Sequence, residues 1–139
     1  MSIKYKNIFN IKSAKVLLVL LLILATQVFS ELFLVPNDMY YIIPWLDIPM
    51  HIWGGFLFGC LYIFYFNFKN SDKLFSYFNL KLTHVLAFVL LIGLIWEVYE
   101  YANDLVSYRE WRGVIDTIKD LFDDMLGGAI AYFIFKDKK

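Results

Sequence analysis

The chain has 139 residues, 60% of them hydrophobic, with a mean hydropathy of +0.59. Its apolar residues come in long runs, which excludes an ordinary soluble domain and leaves an integral membrane protein. Thirteen basic residues balance thirteen acidic ones, so net charge points to no nucleic-acid partner, and the lone Cys60 excludes a disulfide framework or a cysteine metal motif. At this length a single membrane domain over residues 1–139 is expected.

Residues 1–15 carry Lys4, Lys6, Lys12 and Lys15 and no acid. Residues 16–35 then form a near-continuous apolar run, about the 20 residues a spanning helix needs. A cleaved signal peptide over residues 1–30 is the competing reading, because Val28-Phe29-Ser30 resembles a cleavage-site pattern. The long basic segment and the bulky continuation favour a retained span. Pro36 ends that helix, and Pro36 to Pro44 reads as an aromatic-rich interfacial loop. The second span is expected over residues 48–68, with Asp47 as N-cap and Pro49 in the first turn. A polar turn with Lys69, Lys73 and Lys81 separates it from the third span, residues 82–101, which finishes in an acid-rich stretch reaching Asp104. A loop with Arg109, Glu110, Trp111, Arg112 and Gly113 leads to the fourth span, residues 114–135, followed by Lys136, Lys138 and Lys139.

The expected fold is therefore all-α, four transmembrane helices in a compact bundle. An even number of spans puts both termini on one side, where nearly all the lysines collect. The positive-inside rule makes that side cytoplasmic.

With this topology the ionisable residues fall at one level. The second helix carries Asp47 and His51 in its outer part, the third Glu97, Glu100 and Asp104, the fourth Asp116, Asp120, Asp123 and Asp124; Glu31 closes the first. Facing lipid, the deeper His51, Glu97, Asp120 and Asp124 would together cost on the order of 10 kcal/mol, comparable to the whole stability of a small protein. They must face one another, water or a cation, or else stay neutral. Asp116 and Asp123 are also open to a reading as bystanders.

Periodicity supports inward facing. Asp47, His51, Gly55 and Gly59 recur every four residues, so the polar face of the second helix continues into a small-residue face. Asp116, Asp120, Asp124, Gly127 and Ala131 repeat the plan on the fourth, and Gly93, Glu97 and Glu100 share a face of the third. Small residues let membrane helices approach closely, so these helices should pack tightly at their cytoplasmic halves and splay around an outer pocket.

The pocket set is thus Asp47, His51, Glu97, Glu100, Asp116, Asp120 and Asp124. A histidine among carboxylates suits a divalent metal such as Mg²⁺, Mn²⁺ or Zn²⁺, with His51, Glu97, Asp120 and Asp124 as candidate ligands. A metal-free, hydrogen-bonded acid cluster, structural or proton-handling, is the reading favoured over a metal. His84, without an acidic neighbour at helical spacing, reads as interfacial. Trp45, Trp53, Trp96, Tyr99, Tyr101, Tyr108 and Trp111 read mainly as an aromatic belt. Arg109 and Arg112 offset the outer acids or clamp an anionic head group. No serine or cysteine stands with a histidine in nucleophile spacing, and no glycine loop suits nucleotide phosphate.

Three pieces in order, D-x-x-x-H-x-x-x-G (Asp47, His51, Gly55), W-E (Trp96, Glu97) and D-T-x-x-D-x-x-x-D-M-x-G-G (Asp116 to Gly128), resemble the VanZ-like small membrane proteins. They are most similar to the related YjdF-type group of bacterial inner-membrane proteins. The resemblance runs from about Asp47 to Phe135; it implies a cell-envelope location and carries over to Asp47, His51, Glu97, Asp116, Asp120 and Asp124. Gly113-Val114-Ile115-Asp116 replaces the arginine-bearing R-S-x-D start of the last helix in VanZ proper, which argues against a glycopeptide-resistance role. Two functions follow as expectations. One is an envelope protein whose pocket binds a polar lipid head group or a cation, or fixes helix packing. The other is a metal-assisted hydrolase or transferase acting on a lipid-linked substrate. A small transporter ranks third, since four spans need oligomerisation to form a pathway.

Overall fold

A computed structural model describes residues 3–69, 80–107 and 113–136, and its secondary structure among those residues is entirely helical. Helix α1 (Ile3–Phe29) continues into a π-helical turn, Ser30–Leu34; then come the short α2 (Met39–Ile42), a 3-10 turn (Pro44–Leu46), α3 (Asp47–Lys69), α4 (Leu82–Ser107) and α5 (Val114–Phe135). Asp38 takes a left-handed conformation (φ 50°) just before α2, which aspartate tolerates better than most residues. Gly113 precedes α5 at φ 95°, a value that favours glycine.

Three helices contain stretches long and apolar enough to cross a membrane: Ala14–Leu34, Pro44–Phe66 and Leu82–Asn103. The fourth expected span does not qualify by composition, because α5 carries Asp116, Lys119, Asp120, Asp123 and Asp124. A hydropathy sum takes no account of which way these charges point. In the fold Asp120, Asp123 and Asp124 are buried, while Ile115, Ile118, Phe122, Phe133 and Ile134 are exposed along the outside. The charged face of α5 is covered by protein and the apolar face is not.

The tightest packing joins α3 to α5, which run in the same direction. A Cβ added at Gly55 would overlap the backbone carbonyl of Asp124, and one at Gly127 would overlap that of Ile52. Each helix therefore presents a glycine to the other's backbone, the close approach that small residues allow in membrane bundles. One step further on, a Cβ at Gly59 would lie 2.9 Å from that of Ala131, and one at Gly128 would lie 2.9 Å from Val89 Cγ2 of α4. The apolar core sits at this level and beyond, where Val19, Cys60, Ile63, Val85, Val89 and Ala131 form one buried cluster. Among the described residues, helix α1 packs on α3 and hardly touches α4.

Candidate functional site

The acids gather at the opposite end from this core, around one imidazole. His51 Nδ1 lies 3.3 Å from Asp124 Oδ1, so the ring in its Nδ1–H form donates to that carboxylate. The other ring nitrogen, Nε2, is 3.6 Å from Asp47 Oδ1 and 3.9 Å from Asp120 Oδ2. All four side chains are buried. Two are one turn apart on α3 and two are one turn apart on α5, so the glycine contact below them sets the separation of both pairs. Helix α4 accommodates the arrangement at Gly93, where a Cβ would come to 2.5 Å from Asp124 Oδ2.

Lys119 supplies the cation nearest this cluster among the described residues. Its Nζ donates to Asp116 Oδ1 at 2.8 Å, and lies 3.0 Å from Asp120 Oδ1 and 3.9 Å from Asp47 Oδ2. Asp120 Oδ1 is buried, with this ion pair to Lys119 as its contact. The Oε1 atom of Glu97 and the Oδ2 atom of Asp123 are buried without a hydrogen-bond partner. Glu100 accepts from Trp96 Nε1 at 2.9 Å.

Two triads place one ligand atom per residue within 4.8 Å of one another: Asp47, His51 and Asp120, and His51, Glu97 and Glu100. His51 belongs to both. The grouping differs from the expected four-ligand set, because Asp124 meets the ring on its Nδ1 side while Asp47 and Asp120 meet it on Nε2. Carboxylate and imidazole donors with unsatisfied oxygens fit a hard divalent cation.

Beside the cluster opens a cavity of about 800 Å³. Asp47, His51, Glu97, Glu100, Asp116 and Asp124 line its polar end, and Ile23, Leu57, Phe58, Val89 and Ile92 its apolar end. Asp120 does not form part of the wall; it is held against His51 and Lys119.

Helix α1 and its π-turn contribute a further wall, with Gln27 and Ser30, which the apolar run hid, and Glu31. Glu31 Oε1 accepts from Gln27 Nε2 at 3.0 Å and from the Tyr99 hydroxyl at 3.1 Å. Ser30, buried in the π-turn, shares a 2.8 Å hydrogen bond with the Tyr40 hydroxyl. Burial pushes the Tyr40 phenol above the ordinary tyrosine value, so it keeps its proton at a pH where a free phenol would begin to ionise.

Asp123 corrects the bystander reading, for it is as buried as Asp124. Its signal was only a position one step off the stripe. Asp116 also departs from it, lining the cavity and pairing with Lys119. His84 is exposed at the start of α4, away from the cluster. Tyr108, Arg109, Trp111, Arg112 and the side chain of Asp104 lie outside the described residues.

A family model described as "Predicted membrane protein (DUF2238)" matches residues 1–137. No curated protein and no solved structure matches the chain.

Proposed function

We propose, from the premise that this chain belongs to the predicted membrane protein (DUF2238) family, that it binds the polar head of an amphipathic ligand in an outward-facing acid and histidine pocket. In this reading the protein crosses the bacterial inner membrane four times, with both termini cytoplasmic. The 22 residues of α5 make about 33 Å at 1.5 Å per residue, enough for the hydrocarbon core. Its inward charges and outward apolar face support a fourth span, and the lysine distribution supports the orientation. The resemblance to VanZ-like and YjdF-type proteins supports a cell-envelope role.

The observation that carries the binding role is the two-ended cavity of about 800 Å³. Binding sites for small molecules are mostly apolar with a few convergent polar groups, and here the polar groups are gathered at one end. The ligand class is an amphiphile whose head carries positive charge or comes with a cation.

A second reading, a metal-assisted hydrolase or transferase acting on a lipid-linked substrate, is favoured by the two triads within 4.8 Å. A divalent ion held by His51 with Asp47 and Asp120, or with Glu97 and Glu100, would supply Lewis-acid polarisation of a phosphoryl or carbonyl oxygen. Asp124 would orient the ring through Nδ1.

Metal analysis and lipid analysis of the purified protein, beside His51→Ala, Glu97→Gln and Asp120→Asn, test both. Loss of a co-purifying amphiphile in folded His51→Ala and Glu97→Gln supports the binding role; wild-type retention in both sinks it. Stoichiometric metal that is lost from the same variants moves the balance to the second reading.

A further inference from the structure

The two-ended cavity also has a side. Its α3 and α5 walls are sealed by glycine-to-backbone contact, but α1 and α4 both line it while hardly touching each other. Along that edge Glu31, Ile95 and Tyr99 line the cavity and are themselves exposed. The exposed surroundings are apolar, with Leu24, Val28, Leu91 and Val98 on the same two helices. A hydrogen bond of 3.1 Å from the Tyr99 hydroxyl to Glu31 Oε1 spans the gap.

We infer that the α1–α4 gap is a lateral portal through which a lipid with an ammonium-bearing head group enters from the outer leaflet, with the Tyr99–Glu31 hydrogen bond as its latch. This rests on the binding role and topology proposed above.

Polarity along the cavity matches that of a leaflet. From Glu31 in the π-turn at the polar end to Ile23 of α1 at the apolar end is eight residues, about 12 Å at helical rise. One leaflet's hydrocarbon is about 15 Å deep. A lipid shifted sideways through the gap would keep its head level with the acids and its chain level with Ile23, Val89 and Ile92. It would cross no barrier of opposite polarity.

Charge selects the head group. Among the described residues, Glu31, Asp47, Glu97, Glu100, Asp116 and Asp124 line the cavity with His51 as the one basic residue. Glu97 Oε1 is buried without a hydrogen-bond partner. An ammonium group offers three donors to such oxygens. The hydroxyls of Ser30 and Tyr40 and the Gln27 amide line the α1 side of the wall, where a phosphate or ester would need donors. The π-turn places Ser30 there, in keeping with the frequent use of such turns at functional sites.

The experiment uses the full chain in nanodiscs, in a form whose only tryptophan is Trp96 (Trp45→Phe, Trp53→Phe, Trp111→Phe). Phosphatidylethanolamine brominated on its acyl chains is the probe, and brominated phosphatidylglycerol the comparison. Phosphatidylethanolamine is expected to quench Trp96 more strongly at equal mole fraction, and Tyr99→Phe to speed its exchange about fivefold, as loss of one hydrogen bond of ordinary net strength would. In a Cys60→Ala background, Val28→Cys with Val98→Cys, exposed on the same two helices and outside the cavity lining, joined by a bis-maleimide linker is expected to stop exchange, which the unlinked pair retains. Equal quenching by the two lipids overturns the ammonium selectivity. Selective quenching that exchanges as fast in the linked protein overturns the portal and leaves the pocket standing. No protein-specific quenching in any form overturns the pocket reading itself.

Discussion

The imidazole of His51 and the carboxylate of Asp124 stand 3.3 Å apart across 73 positions of sequence. That distance is set by backbone contact between α3 and α5 just below it, at Gly55 and Gly127. The polar site and the packing of the helices are thus one construction, and each can be tested through the other.

Removing the ring should be costly. His51→Ala leaves Asp47, Asp120 and Asp124 buried together without their shared partner. Breaking a buried pair from one side typically costs about 3–5 kcal/mol. Asp124→Asn keeps a side-chain oxygen to accept from Nδ1, so its cost should be about 1 kcal/mol. Thermal unfolding in detergent separates the two; equal midpoints for both variants and the wild type would refute the cluster as a structural unit.

The glycine contact gives a contrast inside one dipeptide. Gly55→Ala forces a Cβ into the Asp124 carbonyl, whereas a Cβ at the neighbouring Gly54 meets nothing within 4 Å. Overpacking of this kind costs about 1–3 kcal/mol or more, while Gly54→Ala should be neutral or gain helix propensity. Gly127→Ala should behave like Gly55→Ala. Comparable folded yields for Gly54→Ala and Gly55→Ala would contradict the packing.

Much of this arrangement was legible in the sequence, and the omissions have physical causes. Asp47, His51, Gly55 and Gly59 announce an inward face because charge and small size repeat every four residues. The same holds for Asp116, Asp120, Asp124 and Gly127. The first helix gave less: topology put Glu31 at the level of the other acids, but Gln27 and Ser30 are isolated polar residues in an apolar run, and the π-turn that holds Ser30 has no periodic signature. The approach of Lys119 to Asp120 was hidden because adjacent helical residues point about 100° apart. The composition of α5 disguises a helix whose exposed face is as apolar as its neighbours.

Tyr40 offers a pH test outside the spanning segments. Burial raises its phenol above the ordinary value, so the folded state holds the proton more tightly than the unfolded one. Stability from this source is complete below about pH 10, the unfolded tyrosine value, and declines as pH rises through the higher folded value. Tyr40→Phe, which also loses the bond to Ser30, should be less stable at neutral pH, and the difference should shrink above about pH 10. Parallel alkaline unfolding profiles for the two proteins would show that the phenol is not held in this way.

Lys119 gives the last test, because its ammonium already occupies a cation position between Asp116, Asp120 and Asp47. Its side chain is 39% exposed, so it can swing out if a stronger cation arrives. Lys119→Gln removes this tethered competitor and leaves carboxylates whose mutual repulsion is less well offset. Without added metal the variant should unfold at a lower temperature than the wild type. With Mn²⁺ or Mg²⁺ it should recover, showing a larger metal-induced rise in midpoint than the wild type. The pairing of Lys119 with its three aspartates predicts both changes together. An equal metal response in the two proteins would mean that the ammonium and the metal do not compete for the same oxygens.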